Sequence, residues 1–126
     1  MNCKPIIIVA GEPNSIFFEI FIKVISKNIF KSPIILIASK NLLQKQIKFF
    51  NSKIKIHELD YSKKKLNLKK LHKVNLINVD YNQSKLFEKI SNKSNKYIGN
   101  CFDIALEILN KKISDKLING PISKKY

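Results

Sequence analysis

The stretch that decides the fold is Pro5-Ile6-Ile7-Ile8-Val9-Ala10-Gly11-Glu12-Pro13-Asn14-Ser15. Four β-branched residues in succession suit a strand buried on both faces, since a pleated backbone tolerates branching at Cβ and full burial removes the need for alternation. Gly11 then frees the backbone to turn and Pro13 stiffens the turn. Asn14 or Ser15 offers a side-chain oxygen to the unpaired amides that open a helix. Downstream, Ile16, Ile20 and Val24, with Phe17, Phe21 and Ile25, recur at four-residue steps. That spacing predicts a helix with both rows on one broad buried face, ending near Lys27-Asn28.

Outward from this unit the pattern repeats. Ser32-Pro33 breaks the helix, and residues 34 to 38 are nearly all apolar, as in a second buried strand. Ser39 starts a second helix that carries Leu42, Leu43, Ile47 and Phe50 inward, and Ile54, Ile56 and Leu59 alternate with Lys55 and Glu58 in a third strand. Residues 61 to 73 are the most lysine-rich part of the chain and read as a solvated connector. Residues 74 to 79 give a further strand, and Leu86, Phe87 and Ile90 a short helical turn. A longer helix over residues 96 to 111 presents Tyr97, Ile98, Cys101, Ala105, Leu106, Ile108 and Leu109 as its apolar stripe. Residues 115 to 119 form a last strand entering Gly120-Pro121. Strands alternating with helices predict an α/β fold of three layers, a mainly parallel sheet flanked by helices.

Composition narrows the function classes. With 126 residues the chain can bury one core, so residues 1–126 are expected to form a single α/β domain or fragment. Its apolar runs are far shorter than the roughly 20 residues needed to cross a bilayer, and no cleavable signal pattern follows Met1, so a cytoplasmic protein without membrane contacts is expected. Cys3 and Cys101 belong to no metal or redox motif. The net charge of +15 raises nucleic acid as a partner, but all 24 basic residues are lysine, and the guanidinium fork that dominates phosphate and base recognition is absent. The lysines accompany 22 isoleucines and 14 asparagines, a bias of A+T-rich codons, so nucleic acid is not the expected partner.

Ligands of open α/β sheets bind where loops leave the carboxyl ends of the strands. Two loops there combine glycine with proline: Gly11-Glu12-Pro13-Asn14-Ser15 after the first strand, and Asn119-Gly120-Pro121-Ile122-Ser123-Lys124 after the last. With Gly11, Gly99 and Gly120 the only glycines, neither a dinucleotide nor a P-loop fingerprint can be written. Glu12, Asn14 and Lys124 are the candidates for lining a substrate cleft, with Gly11, Pro13, Gly120 and Pro121 as its backbone walls. Lys124 would face a phosphate or carboxylate. Glu12 would either orient a polar group or brace the turn. Asp103 and Glu107 form an i, i+4 pair of like charge, expected to face water.

In this order and at this separation the two corners resemble those of the 4-hydroxythreonine-4-phosphate dehydrogenase family, which has a Gly-Glu-Pro turn after its first strand and a Gly-Pro-x-x-Lys turn further on. The stretch from Asn95-Lys96-Tyr97 to Ser123-Lys124 looks like that family's helix, strand and cleft-lining turn. Family members continue the first turn with Ala-Gly-Ile-Gly-Pro, where this chain has Asn14-Ser15-Ile16-Phe17-Phe18. The resemblance implies the N-terminal part of an isocitrate/isopropylmalate dehydrogenase-like fold, incomplete here, with a second domain outside the chain. It implies NAD-dependent oxidation and decarboxylation of 4-phosphohydroxy-L-threonine in pyridoxal phosphate (vitamin B6) biosynthesis, with a divalent metal ion and a homodimer for the full-length enzyme. A related phosphorylated sugar acid is the other substrate it leaves open.

The family's metal-binding histidines lie downstream of the second turn; His57 and His72 match none of them, so no catalytic or metal-binding residue is assigned and the chain alone is expected to be inactive. The alternative reading is a small non-catalytic α/β module that binds an anionic ligand or partner through its lysine-rich surface. The family reading requires the Pro13 and Pro121 corners to meet at one rim of the sheet.

Overall fold

The computed structural model describes residues 4–27, 32–61, 68, 73–81 and 94–121. They form β1 (Ile6–Val9), α1 (Phe17–Ser26), β2 (Ile34–Ala38), α2 (Lys40–Phe49), β3 (Lys55–Glu58), β4 (Lys73–Asn78), α3 (Asn95–Asn110) and β5 (Lys116–Asn119). The five strands make one sheet in the order β3-β4-β2-β1-β5, and every pairing is parallel. Parallel neighbours need crossover connections, and the helices that supply them bury both sheet faces. Hence β2, the central strand, is buried at all five positions.

Alternation along the strands divides the core in two. Ile7, Val9, Ile35, Ile37 and Ile77 point to one face, where Tyr97, Ile98, Cys101, Ala105 and Ile108 of α3 cover them. Ile34, Leu36, Ala38, Val74 and Leu76 point to the other, under Phe18 and Phe21 of α1 and Leu42 and Leu43 of α2. The three-layer α/β arrangement read from the sequence is therefore the one observed. The short helical turn at Leu86, Phe87 and Ile90, His72 and most of the lysine-rich connector lie outside the described residues. No described helix is long and apolar enough to cross a membrane.

Two expectations about helix faces need correction. On α1 the buried residues are Phe18, Phe21 and Ile22, whereas Ile16, Ile20 and Val24 are 65%, 49% and 38% exposed. A helix lying on a sheet buries a single sector of its circumference, and the row 16-20-24 falls outside the sector that meets β1 and β2. On α3, Leu106 is likewise exposed, because Ala105 and Ile108 take the sheet-facing positions. Ser39 behaves as read: it caps α2, its hydroxyl accepting from Leu42 N–H at 3.3 Å. At α1 the N-cap is Ile16, with no side-chain cap bond. Ser15 instead accepts from Phe17 N–H at 3.2 Å while donating to the Glu12 carbonyl at 2.8 Å.

Candidate functional site

The two glycine-proline corners meet. Because β1 and β5 are parallel neighbours with Val9 opposite Asn119, their carboxyl ends and the turns after them emerge side by side. Gly120 N–H donates to the Val9 carbonyl at 2.7 Å, and Glu12 N–H donates to the Pro121 carbonyl at 2.7 Å. The backbones approach so closely that a side chain is excluded at either glycine. A Cβ on Gly11, whose φ is +78°, would stand 2.5 Å from the Pro121 carbonyl oxygen, and one on Gly120 would strike the Ala10 carbonyl oxygen. Glycine is thus required at both positions for contact, and at Gly11 for conformation as well.

Glu12 lies at the junction with a third element. Its residue is 3% exposed, and one carboxylate oxygen accepts from the Ser94 hydroxyl, immediately before α3, at 2.8 Å. The other accepts from Asn14 N–H at 3.4 Å. This carboxylate is therefore turned into the protein, tying the β1 turn to the start of α3. Of the two readings of Glu12, the geometry gives the brace rather than a group open to ligand. Asn14 is half-buried beside it, Pro13 is buried and Pro121 is exposed. Lys124 lies outside the described residues.

A second polar cluster, not singled out in the sequence, occupies the rim between β2 and β4. The chain leaves β2 into α2 on one face and reaches α3 on the other after β4, so this pair marks a switch in topology, where α/β sheets commonly open a ligand crevice. Here the crevice is closed by internal hydrogen bonds. Ser39 N–H donates to the buried Tyr97 hydroxyl at 2.9 Å, and Lys40 N–H donates to the Asn78 amide oxygen at 2.8 Å. Asn78 donates in turn to the Asp80 carboxylate at 3.0 Å, and Lys40 pairs with Glu58 at 2.8 Å. Tyr81 stacks at a tilt on Tyr97, ring centres 5.0 Å apart. Burial holds the Tyr97 phenol above its usual range and pushes the Cys101 thiol up to about 12. The only advance signal for Tyr97 was a hydroxyl in an otherwise apolar stripe; Asn78 gave none.

Among the described residues no three His, Cys, Asp or Glu side chains gather as a metal site would need. His57 is half-buried in β3.

The fold and its carboxyl-rim corner define a three-layer parallel α/β protein. Solved structures make the architecture more particular: it matches the fold of part of solved 4-hydroxythreonine-4-phosphate dehydrogenases. The chain superposes on the enzyme from Burkholderia phymatum with a TM-score of 0.81 and 15% identity, covering 99% of this chain and 38% of that one. With the enzyme from Klebsiella pneumoniae the values are 0.79 and 15%, over 98% and 38%. The chain thus spans well under half the length of the structures it resembles. No family model matches the sequence, and no curated protein sequence does.

Proposed function

We propose that the chain is the N-terminal α/β part of a 4-hydroxythreonine-4-phosphate dehydrogenase-like enzyme. The reaction is NAD-dependent oxidation of the hydroxyl of 4-phosphohydroxy-L-threonine, with loss of the carboxyl group as carbon dioxide, in the making of pyridoxal phosphate. The observation that carries this reading is the Gly11–Pro121 corner, in a chain whose fold follows the neighbouring dehydrogenases over 98–99% of its length. Two motifs separated by more than a hundred residues form a single wall, as parts of one cleft must.

The described residues do not fit the metal ion, since no cluster of three ligating side chains exists among them. No chemical step is therefore assigned to this chain. Its part is to hold one rigid wall of the substrate cleft; NAD, the metal ion and a second copy would be bound chiefly by what the neighbours carry in the rest of their length. Lys124, three residues after Pro121, is the cation proposed to meet the substrate's phosphate. A related phosphorylated sugar acid would use the same wall. The alternative of an anion-binding module rests on the lysine-rich surface of the whole chain, whose densest stretch, residues 61 to 73, lies mostly outside the described residues.

The glycines supply the test. A nitrogen-correlated NMR spectrum of the 126-residue chain contains three glycine amides, two at the corner and Gly99 on the exposed side of α3. Titration with 4-phosphohydroxy-L-threonine should move Gly11 and Gly120 and leave Gly99 in place. Movement of none of the three at millimolar ligand would refute the cleft assignment. Equal movement with inorganic phosphate would favour the anion-binding module.

A further inference from the structure

Two serines stand at helix starts on this sheet and use their hydroxyls differently. Ser39 caps α2, accepting from Leu42 N–H at 3.3 Å. Ser94 holds the same position before α3 yet makes no side-chain cap bond, a contact that ordinarily stabilises a helix. Its hydroxyl donates instead to a Glu12 carboxylate oxygen at 2.8 Å, across 82 positions of sequence. A charge-assisted bond thus takes the place of a cap. The Glu12 bond from Asn14 N–H is longer, at 3.4 Å. The first turn of α3 contains no acidic residue, so Glu12 also supplies the negative charge that a helix start favours. Ser94 is 1% and Glu12 3% exposed, and neither side chain can touch a ligand as it stands.

We propose that Ser94 is a positioning residue for the glycine corner: its hydroxyl keeps the Glu12 charge out of the cleft and so leaves the corner open to anions. The inference rests on the dehydrogenase-like reading of the corner, whose substrate carries a phosphate and a carboxylate. Glu12 N–H is bonded to the Pro121 carbonyl, which places the Glu12 backbone in the corner itself. Only the direction of its side chain decides where the charge lies. Turned inward, the carboxylate is met by the Ser94 hydroxyl and the start of α3. Without that hydroxyl it loses its shortest bond, and a buried charge so weakened gains by rotating outward to water. Outward means the space before Gly11 and Gly120, where an anionic substrate would approach. Like charges a few ångströms apart there should weaken binding by about tenfold or more at the effective dielectric of a protein surface.

Binding of 4-phosphohydroxy-L-threonine to the 126-residue chain, followed at the Gly120 amide, tests the proposal. Ser94→Ala should weaken binding by about tenfold or more. Adding Glu12→Gln to Ser94→Ala should recover most of that loss, because an amide that swings outward repels no anion. A serine that merely stiffened the turn would give a double variant binding no better than Ser94→Ala, and that result would overturn the proposal. Tyr97→Phe, which removes another buried hydroxyl from the first turn of α3, should leave the affinity unchanged; an equal loss there would show general loosening and overturn it as well. If Ser94→Ala does not fold, Ser94→Cys keeps the side-chain size with a much weaker donor and should show the same loss and the same recovery. Binding by the serine variants as tight as that of the parent refutes the role of Ser94 and leaves the cleft reading standing. A parent chain that binds nothing refutes the cleft reading, and this inference with it.

Discussion

The β1–β5 corner and the β2–β4 crevice lie on the same rim of the same sheet, and they are sealed by different means. At the corner, backbone meets backbone: Gly11 and Gly120 face the carbonyls of Pro121 and Ala10 with no room for a side chain. In the crevice, side chains cap the backbone: Tyr97 accepts from Ser39 and Asn78 from Lys40. In both places the nearest amides are already taken, those of Ser39 and Lys40 by side chains and those of Glu12 and Gly120 by the Pro121 and Val9 carbonyls. The difference is in what can yield: side chains can turn away to open the crevice, whereas the corner is fixed by backbone on both sides.

The largest test of that contrast is steric. Gly120→Ala forces a methyl group onto the Ala10 carbonyl oxygen and should destabilise the chain by about 3 kcal/mol or prevent folding, since a backbone atom cannot swing aside as a side chain can. Gly11→Ala should be comparably severe, because left-handed backbone adds about 1–2 kcal/mol to the clash. Gly99→Ala, with nothing within 4 Å of the added atom, should instead stabilise by up to about 1 kcal/mol, the ordinary helix preference for alanine. Urea unfolding of the three variants measures this. If Gly120→Ala proved neutral, the interlocked corner would be wrong.

A smaller effect probes the crevice. Tyr97→Phe removes the acceptor for a buried amide and should lower stability by about 1–3 kcal/mol, without touching the corner glycines. It should also alter the response to alkali. Burial raises both the Tyr97 phenol and the Cys101 thiol above their ordinary values, so the folded state holds these protons more tightly than the unfolded chain. Their contribution is complete below the unfolded pKa values, about 8.5 for a thiol and 10 for a phenol. It is lost as pH rises from there toward 12. Stability of the parent chain should accordingly fall across roughly pH 9 to 12, and Tyr97→Phe should fall less steeply because the Tyr97 phenol no longer contributes, leaving the Cys101 thiol and the Tyr61 phenol, which burial also raises to about 12. Equal slopes in the two proteins would show that Tyr97 is not buried as a phenol.

How far the sequence revealed these regions follows from the range of the interactions. Buried strands announce themselves locally, since Ile6 to Val9 and Ile34 to Ala38 are apolar whatever they pair with. The corner was legible too, because glycine and proline are constrained by their own covalent structure. The crevice was not, as its contacts join Ser39 to Tyr97 and Lys40 to Asn78 across 58 and 38 positions, and nothing in a local window ties such residues together. The α1 face failed for a related reason. Four-residue recurrence shows that Ile16, Ile20 and Val24 share a side, but which side meets the sheet depends on the strands beneath it.

The smallest test concerns the positive end of α2, which opens into the crevice. Its first turn contains no acidic residue, and Asn41 there is exposed. Asn41→Asp should raise stability by about 0.3–1 kcal/mol at low salt, because a carboxylate beside the first-turn amides interacts favourably with the helix dipole, and the gain should fade as salt screens it. Inorganic phosphate would seek the same charge. Yet with Lys40 N–H held by Asn78 and Leu42 N–H by Ser39, it must displace bonds already made. Thermal unfolding in 10 mM phosphate should therefore match that in a chloride buffer of equal ionic strength. A clear rise in melting temperature with phosphate in the parent chain, abolished by Asn41→Asp, would mean the crevice is open to anions after all and would move the ligand site away from the glycine corner.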